Sequence, residues 1–146
     1  MGTIVAEARK VENVLAKYEK LNENSISLLL NSKKGLKAQA VFDFMLVSQF
    51  PMQVIEQLLK KTIKTFTSYK ETNTVLDAVI SEKLLKLFGL YQKGSLVFGS
   101  LDEFVKWMDI PAFGLGDQFP STLLDTITGI ELVREELIRI EYGDTA

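Results

Sequence analysis

Residues 75–98 read VLDAVISEKLLKLFGLYQKGSLVF, and this stretch decides the fold class. Apolar side chains recur along it at spacings of three and four residues, which is the repeat of an α-helix, and the same spacing continues through almost the whole chain. Strict alternation of apolar and polar residues, the pattern of a half-buried β-strand, is scarce. The sequence therefore predicts an all-α protein, with one long helix over about 75–98 that Gly89 or Gly94 could kink.

Before and after this stretch, capping residues and glycines mark the ends of further helices. The predicted segments are about 3–20, 26–34, 38–48, a helix after Pro51, 62–70, 101–108 and 128–142. Ser25 or Ser27, Thr62, and Ser100 or Asp102 are the expected N-terminal caps, whereas Gly35 and Gly143 follow helix ends. The helix after Pro51 is expected to bury Met52, Ile55, Leu58 and Leu59. A loop rich in Gly, Pro and aromatic residues occupies 109–120.

Composition limits the chemistry that this chain can perform. Its 146 residues suffice for one compact domain or two small ones, and 47% hydrophobic with 25% charged residues excludes a disordered or fibrous chain. There is no Cys and no His. This removes disulfides, thiolate nucleophiles, imidazole bases, zinc fingers and haem ligands, because each depends on one of those side chains.

The N-terminal residues do not form a targeting signal. Glu7, Arg9, Lys10 and Glu12 interrupt the chain before any apolar stretch of signal-peptide length, and no uncharged run approaches the roughly 18 residues that a membrane span needs. Ala6 stands where a myristoylation signal needs Ser or Thr. We therefore expect a cytoplasmic protein.

The net charge of −2 conceals an uneven distribution along the chain. Residues 1–92 contain 13 basic and 9 acidic side chains, a balance of +4, whereas residues 93–146 contain 4 basic and 10 acidic ones, a balance of −6. This asymmetry indicates that the two parts face different partners, a polyanion for the first and a basic protein for the second.

A basic segment over 60–70 is the candidate nucleic-acid contact. It has four Lys, no acidic residue and five hydroxyl side chains, and it follows the preceding helix across a very short turn, as in a helix-turn-helix. The candidate DNA-binding residues are Lys60, Lys61, Lys64, Thr65, Ser68 and Lys70. The alternative is a solvated basic helix face, since the turn has Lys-Lys where Gly is usual and the helix lacks the Arg, Asn and Gln that contact bases.

Other features have a structural and a functional interpretation. Glu131 and Glu135 lie one helical turn apart and could act as an acid and base, but exposed helix acids explain them better, so we expect no catalytic residue, no metal site and no cofactor. Phe113 and Phe119 in the 109–120 loop either plug a core under a turn or form a protein-recognition surface. Residues 141–146 are either a frayed end or a plug for a partner's cleft.

Motifs spread over about the last 50 residues carry a family resemblance. In chain order they are Val97-Phe98-Gly99, Phe104 with Trp107, Pro111 with Leu115-Gly116 and Pro120, Leu123-Leu124-Asp125-Thr126, Gly129-Ile130-Glu131-Leu132-Val133, and Arg139-Ile140-Glu141-Tyr142-Gly143. Together they resemble the toxin-binding domain of Xre/MbcA/ParS-type antitoxins of RES–Xre toxin–antitoxin systems. Residues 27–87 resemble, more loosely, the Xre-type helix-turn-helix half of the same antitoxins.

The resemblance implies both a fold and a function. The implied fold is an Xre-like helix-turn-helix bundle for DNA binding or dimerisation in residues 1–74, followed by a small α-helical toxin-binding domain in residues 75–146. The implied function is that of a cytoplasmic, non-enzymatic, homodimeric antitoxin. It would neutralise a RES-domain toxin that degrades NAD⁺ by occluding the toxin's active site, and it would repress its own operon.

Site residues also follow from the resemblance. Those implied by position to face the toxin are Leu115, Gly116, Arg139, Glu141, Tyr142 and Gly143. The alternative function is a plain helix-turn-helix transcriptional regulator whose C-terminal half only dimerises.

Overall fold

The computed structural model describes residues 2–143, with side chains from residue 6 onward, and this part of the chain forms eight α-helices. They are α1 (Gly2–Lys20), α2 (Ser25–Lys34), α3 (Gln39–Ser48), α4 (Met52–Leu59), α5 (Ile63–Thr72), α6 (Ala78–Phe98), α7 (Leu101–Met108) and α8 (Ile127–Glu141). Extended pairing within these residues is limited to two isolated bridges, Lys37 with Val75 and Ala112 with Gln118. The predicted all-α fold class is confirmed.

The chain divides into two compact units, which we call the first unit (Met1–Gly89) and the second unit (Leu90–Ala146). The division falls within α6, so this helix contributes its first part to one unit and its last part to the other. The charge asymmetry follows the same division, with +4 on the first unit and −6 on the second. The expected boundary after Thr74, between a DNA-binding or dimerisation region and a toxin-binding domain, stays a prediction.

Side-chain caps explain where several helices begin. Thr62 caps α5 and Ser100 caps α7, and each hydroxyl accepts a hydrogen bond from the backbone N–H three residues later. The cap expected for α2 at Ser25 or Ser27 is wrong. Asn24 takes this position, and its Oδ1 accepts from the Ser27 N–H at 2.9 Å. Asn serves as well as Ser because its short side chain reaches the same free N–H groups.

An aromatic cluster lies at the centre of the first unit. Tyr18 of α1 stacks on Phe88 of α6 with ring centroids 3.9 Å apart, and Phe44 of α3 meets Phe88 edge-on at 5.5 Å. The Tyr18 hydroxyl donates a 2.6 Å hydrogen bond to Asp43 Oδ2. Burial, followed by this hydrogen bond and the carboxylate charge, raises the pKa of Tyr18. The phenol therefore remains a hydrogen-bond donor inside the core.

One expectation about the helix after Pro51 is wrong. Ile55, Leu58 and Leu59 of α4 are buried as predicted, but Met52 is 53% exposed. Met52 continues the apolar stripe into the first turn of α4. A stripe read from sequence does not show how far along the helix the neighbouring elements reach, so its end can remain in solvent.

The second unit is built around the chain's single tryptophan. Trp107 and Phe104 are buried with ring centroids 6.0 Å apart, the half-buried Phe98 lies 5.3 Å from Trp107, and Tyr91 meets Phe104 edge-on at 5.1 Å. Gly94 of α6 lies directly against the Phe104 ring, where a Cβ would overlap ring carbons. The close approach of α6 to α7 therefore requires glycine at this position.

Within the described part of the chain, none of the helices combines the length and the hydropathy that a membrane crossing needs.

Replacement of Gly94 tests this packing. An exposed Gly→Ala change in a helix is stabilising by about 1 kcal/mol, but we expect Gly94→Ala to lower the free energy of unfolding by about 1–3 kcal/mol, because the methyl group displaces Phe104. Urea unfolding followed by Trp107 fluorescence measures this change in the second unit. Ser95→Ala, on the same helix, is the control and should leave the midpoint nearly unchanged. An unaltered midpoint in Gly94→Ala would contradict the contact.

Candidate functional site

The loop between α7 and α8 is the first component of the candidate site. Its backbone closes on itself, since the Ala112 N–H donates to the Gln118 carbonyl and the Asp117 N–H donates to the Ala112 carbonyl, both at 3.0 Å. Phe113–Leu115 forms a 3₁₀ turn that ends at Gly116, whose φ of +65° suits glycine. The loop predicted over 109–120 is therefore a hydrogen-bonded turn structure.

A buried carboxylate joins this loop to α8. Glu136 is 3% exposed, and its Oε1 forms an ion pair with Nη2 of Arg139 at 2.8 Å. The same Nη2 donates to the carbonyl oxygen of Gly114 at 3.0 Å. A Cβ on Gly114 would overlap the Glu136 carboxylate, so only glycine allows this approach. We call these three residues the Gly114–Glu136–Arg139 link.

The link connects the two groups of residues expected to face a toxin. Leu115 and Gly116 directly follow Gly114, and Arg139 is itself the hydrogen-bond donor to the loop. Leu115 is half-buried, whereas Gly116 and Arg139 are exposed. The structure thus places the loop residues and the last turn of α8 on one connected part of the second unit.

The residues at the end of α8 differ in whether their side chains already form an ion pair within the protein. The Glu141 carboxylate pairs with Lys93 Nζ of α6 at 2.5 Å. Tyr142 is 80% exposed, and Gly143 follows with a φ of +92° that ends the helix. Tyr142 is therefore the side chain at this end that a partner can bury without first breaking an ion pair. The rest of the expected plug, 144–146, lies outside the described residues.

The aromatic residues of the loop face solvent. Phe113 is 77% and Phe119 46% exposed, so the interpretation that they plug a core is wrong. Ala112 and Leu124 are fully buried, and Pro120 is buried too, so these residues are core positions in this region. Large aromatic side chains held outward by an ordered loop are typical of protein-recognition surfaces, where they supply much of the binding energy.

Sequence reasoning missed the burial of Glu136. Unlike Glu131 and Glu135, which were expected to be exposed helix acids, Glu136 lies within the apolar side of α8, one turn after Val133 and adjacent to Leu137. An acidic residue inside an apolar stripe, with Arg139 three residues later, is the signal that could have identified the pair. The hydrogen bond from Arg139 to the Gly114 carbonyl on the loop could not be read from the sequence.

In the first unit, α4 and α5 form the predicted helix pair with a short turn. Lys60 adopts the left-handed conformation, φ +61° and ψ 28°, that glycine usually supplies in this turn. The Glu56 carboxylate of α4 accepts a 2.8 Å hydrogen bond from the Ile63 N–H. An acid therefore already occupies the first turn of α5, so any phosphate contact there would depend on lysine side chains.

The candidate DNA-binding residues do not all lie together. Lys60 is exposed in the turn, Lys61 is half-buried, and Lys64 and Ser68 are exposed four residues apart on one side of α5. Lys70 is exposed on a different side, where its Nζ lies 5.2 Å from the centroid of Phe42.

Thr65, the remaining candidate, is half-buried and engaged at the helix start. Its hydroxyl lies 3.1 Å from the Thr62 hydroxyl, and its backbone N–H donates to that same oxygen. Lys64 and Ser68 are thus the candidates that share one exposed side of α5, and Lys60 is exposed in the turn before this helix.

Among residues 2–143 no three His, Cys, Asp or Glu side chains are grouped so as to hold a metal ion.

A comparison with known protein families gives a match for the loop between α7 and α8 and for α8 itself. Residues 94–143 match the family model described as the antitoxin Xre/MbcA/ParS C-terminal toxin-binding domain. No curated protein matches the chain. The matched segment begins at Gly94, which packs on Phe104, and ends at Gly143, so it includes the Gly114–Glu136–Arg139 link and Tyr142. The match therefore indicates, for residues 94–143, a toxin-binding domain of the kind carried by antitoxins of toxin–antitoxin systems.

Proposed function

We propose that this protein is the antitoxin of a type II toxin–antitoxin pair and that it acts by covering the entrance to its toxin's active site. The observation that carries the proposal is the connected surface of the second unit. There, Arg139 ties the Phe113 loop to the end of α8, inside the segment that matches a toxin-binding domain. Covering a cleft requires shape and charge but no catalytic group, which suits a chain without His and Cys.

The exposed aromatic residues supply the contacts in this mechanism. Tyr142, at 80% exposure, extends from the end of α8 toward the toxin cleft, and Phe113 packs against its rim. Aromatic side chains lose little conformational entropy on binding and bury a large apolar area, so they commonly dominate interface energies. Glu141 joins the interface only after exchanging Lys93 for a cation of the toxin.

The proposed toxin is a RES-domain enzyme that degrades NAD⁺. A cleft that binds the two phosphates of NAD⁺ needs positive charge, and the −6 balance of the second unit is complementary to such a cleft. The same charge would increase the rate of association at low ionic strength. Both proteins would then act in the cytoplasm.

We also propose that the first unit binds operator DNA as a homodimer and represses the operon. The support is its +4 balance and the α4–α5 pair, with Lys60, Lys61, Lys64, Thr65, Ser68 and Lys70 as the proposed contacts. The alternative, a transcriptional regulator whose C-terminal half only dimerises, lacks a toxin partner. Co-expression with the neighbouring gene product separates the two functions, since only the antitoxin forms a complex that stops NAD⁺ loss.

Removal of Tyr142 tests the toxin-binding surface. We expect Tyr142→Ala to weaken toxin binding by about 10- to 100-fold, because a buried aromatic anchor contributes about 2 kcal/mol or more, and to leave the fold intact. Calorimetry with the co-encoded toxin measures the affinity, and NAD⁺ consumption measures protection. Leu96→Ala, also at an exposed apolar site of the second unit but outside the loop and α8, is the control.

Truncation extends the same test. Deletion of residues 141–146 should leave helix content unchanged and impair toxin neutralisation. Full NAD⁺ protection by the truncated protein would contradict the proposed plug.

The Gly114–Glu136–Arg139 link gives a separate prediction about stability. Arg139→Ala leaves a buried carboxylate without its cation, and we expect it to lower the free energy of unfolding by about 1–3 kcal/mol. Adding Glu136→Gln should recover at least half of that loss, because a neutral amide costs less to bury. Urea unfolding followed by Trp107 fluorescence is the measurement. Wild-type stability in Arg139→Ala would show that the link contributes nothing.

The DNA contact is tested through its salt dependence. Lys61→Ala combined with Lys64→Ala should weaken operator binding about equally for all sequences and reduce the log–log salt slope by about one per lost phosphate contact. Lys10→Ala with Lys20→Ala removes the same charge from α1 and is the matched control. Lys60→Gly removes a charge while fitting the left-handed turn, so it separates lost charge from lost structure. An unchanged slope in the Lys61, Lys64 variant would exclude α5 as the contact.

A further inference from the structure

The second helix turns its apolar side to solvent. Ile26, Leu29 and Leu30 of α2 are 65%, 47% and 59% exposed. Their spacing of three and four residues places them on one side of the helix, and we call this side the α2 apolar face. A surface helix ordinarily directs such a stripe into its own core, so α2 has the reverse orientation.

One side-chain hydrogen bond to a residue outside the helix accompanies this orientation of α2. Ser32, next to the apolar face, is 4% exposed, so the helix is covered on that side, and its hydroxyl has no hydrogen-bond partner among the described residues. The Asn31 side chain donates to the carbonyl oxygens of Leu21 and Ser27 at 3.1 and 2.9 Å. Rotating the helix to bury its leucines would break the contact with Leu21. The contacts of α2 therefore favour the orientation in which its apolar face is exposed.

We propose that the α2 apolar face is a self-association surface, on which α2 of a second copy packs antiparallel about a two-fold axis. The proposal rests on the homodimer proposed above and specifies its surface. In a register that sets Ile26 against Leu30 of the second copy, Leu29 lies near the axis. Six apolar side chains, three from each copy, then cover one another.

Charges at the two ends of α2 favour a second copy of the chain as the partner. Glu23 precedes the helix, Lys33 and Lys34 lie in its last turn, and all three are exposed. In the same antiparallel register, Glu23 comes opposite Lys33 of the second copy, and the two-fold axis repeats this pair. A parallel arrangement would instead set like charges side by side. An apolar centre with an acid at one end and bases at the other is complementary to itself, as a two-fold interface must be.

The size of the surface sets the expected affinity. Three partly exposed apolar side chains per copy form less than a standard interface of about 1,600 Å². We therefore expect a reversible dimer with a dissociation constant of about 1–100 µM, formed by the free chain without toxin or DNA.

Sedimentation of the full chain tests the surface. Over about 1–300 µM, the wild type should show a concentration-dependent monomer–dimer equilibrium, and Leu30→Glu should raise the dissociation constant about 100-fold or more, because it places a charge in the apolar centre. Leu96→Glu makes the same substitution at a side chain that is 70% exposed outside α2, and it should leave the constant within about twofold. Circular dichroism confirms that each variant keeps its helices.

A charge reversal tests the antiparallel register. Glu23→Lys and Lys33→Glu should each weaken self-association by about five- to tenfold, since each creates two repulsive pairs. The double variant restores opposite charges in the proposed register and should return to within about threefold of the wild type. Failure of the double variant to recover would overturn the antiparallel pairing.

The outcomes separate this inference from the proposed functions. A dimer that persists in Leu30→Glu would overturn the α2 surface and leave the homodimer proposal standing, whereas a wild type that stays monomeric would overturn both. Toxin neutralisation by Leu30→Glu should match that of the wild type. If this variant instead loses toxin binding while self-association is unchanged, the α2 apolar face binds the toxin and the inference is wrong.

Discussion

The buried carboxylate of Glu136 is the interaction on which the candidate toxin-binding surface depends. A carboxylate at 3% exposure is costly unless a cation and hydrogen bonds compensate the lost water. Arg139 provides the cation, and the same guanidinium nitrogen holds the Gly114 carbonyl. One structural requirement, pairing a buried charge, thereby also fixes a loop to α8. The exposed Phe113 and Tyr142 are then presented from a preorganised surface, which reduces the entropy lost on binding.

The two units distribute charge and packing in different ways. The first unit, with a balance of +4, is organised around Tyr18, Phe88 and Asp43 and presents lysines near the turn before α5. The second, with −6, is organised around Trp107 and presents aromatic side chains. The partners proposed above follow this division, with a polyanion for the first unit and a protein cleft for the second.

Local sequence patterns predicted most of the helix positions. They did not predict which side of a helix or loop faces the core. Thr62 and Ser100 cap their helices as expected because capping involves only residues three positions apart. Met52, Phe113, Leu29 and Leu30 are exposed although their apolar character suggests burial. Which side of an element meets the core depends on neighbours distant in sequence. In α2 one such neighbour is Leu21, whose carbonyl oxygen accepts a hydrogen bond from Asn31.

The sequence by itself determined the all-α class, most helix positions, the charge of each half and the family resemblance of the last 50 residues, because each is a local pattern or a sum over residues. Only the tertiary structure decided that Glu136 is buried, that Arg139 joins the loop to α8, and that Leu29 and Leu30 of α2 face outward. These features depend on contacts such as the one between Gly114 and Arg139, 25 residues apart. Periodicity assigns a side chain to a face, but only packing decides whether that face is covered.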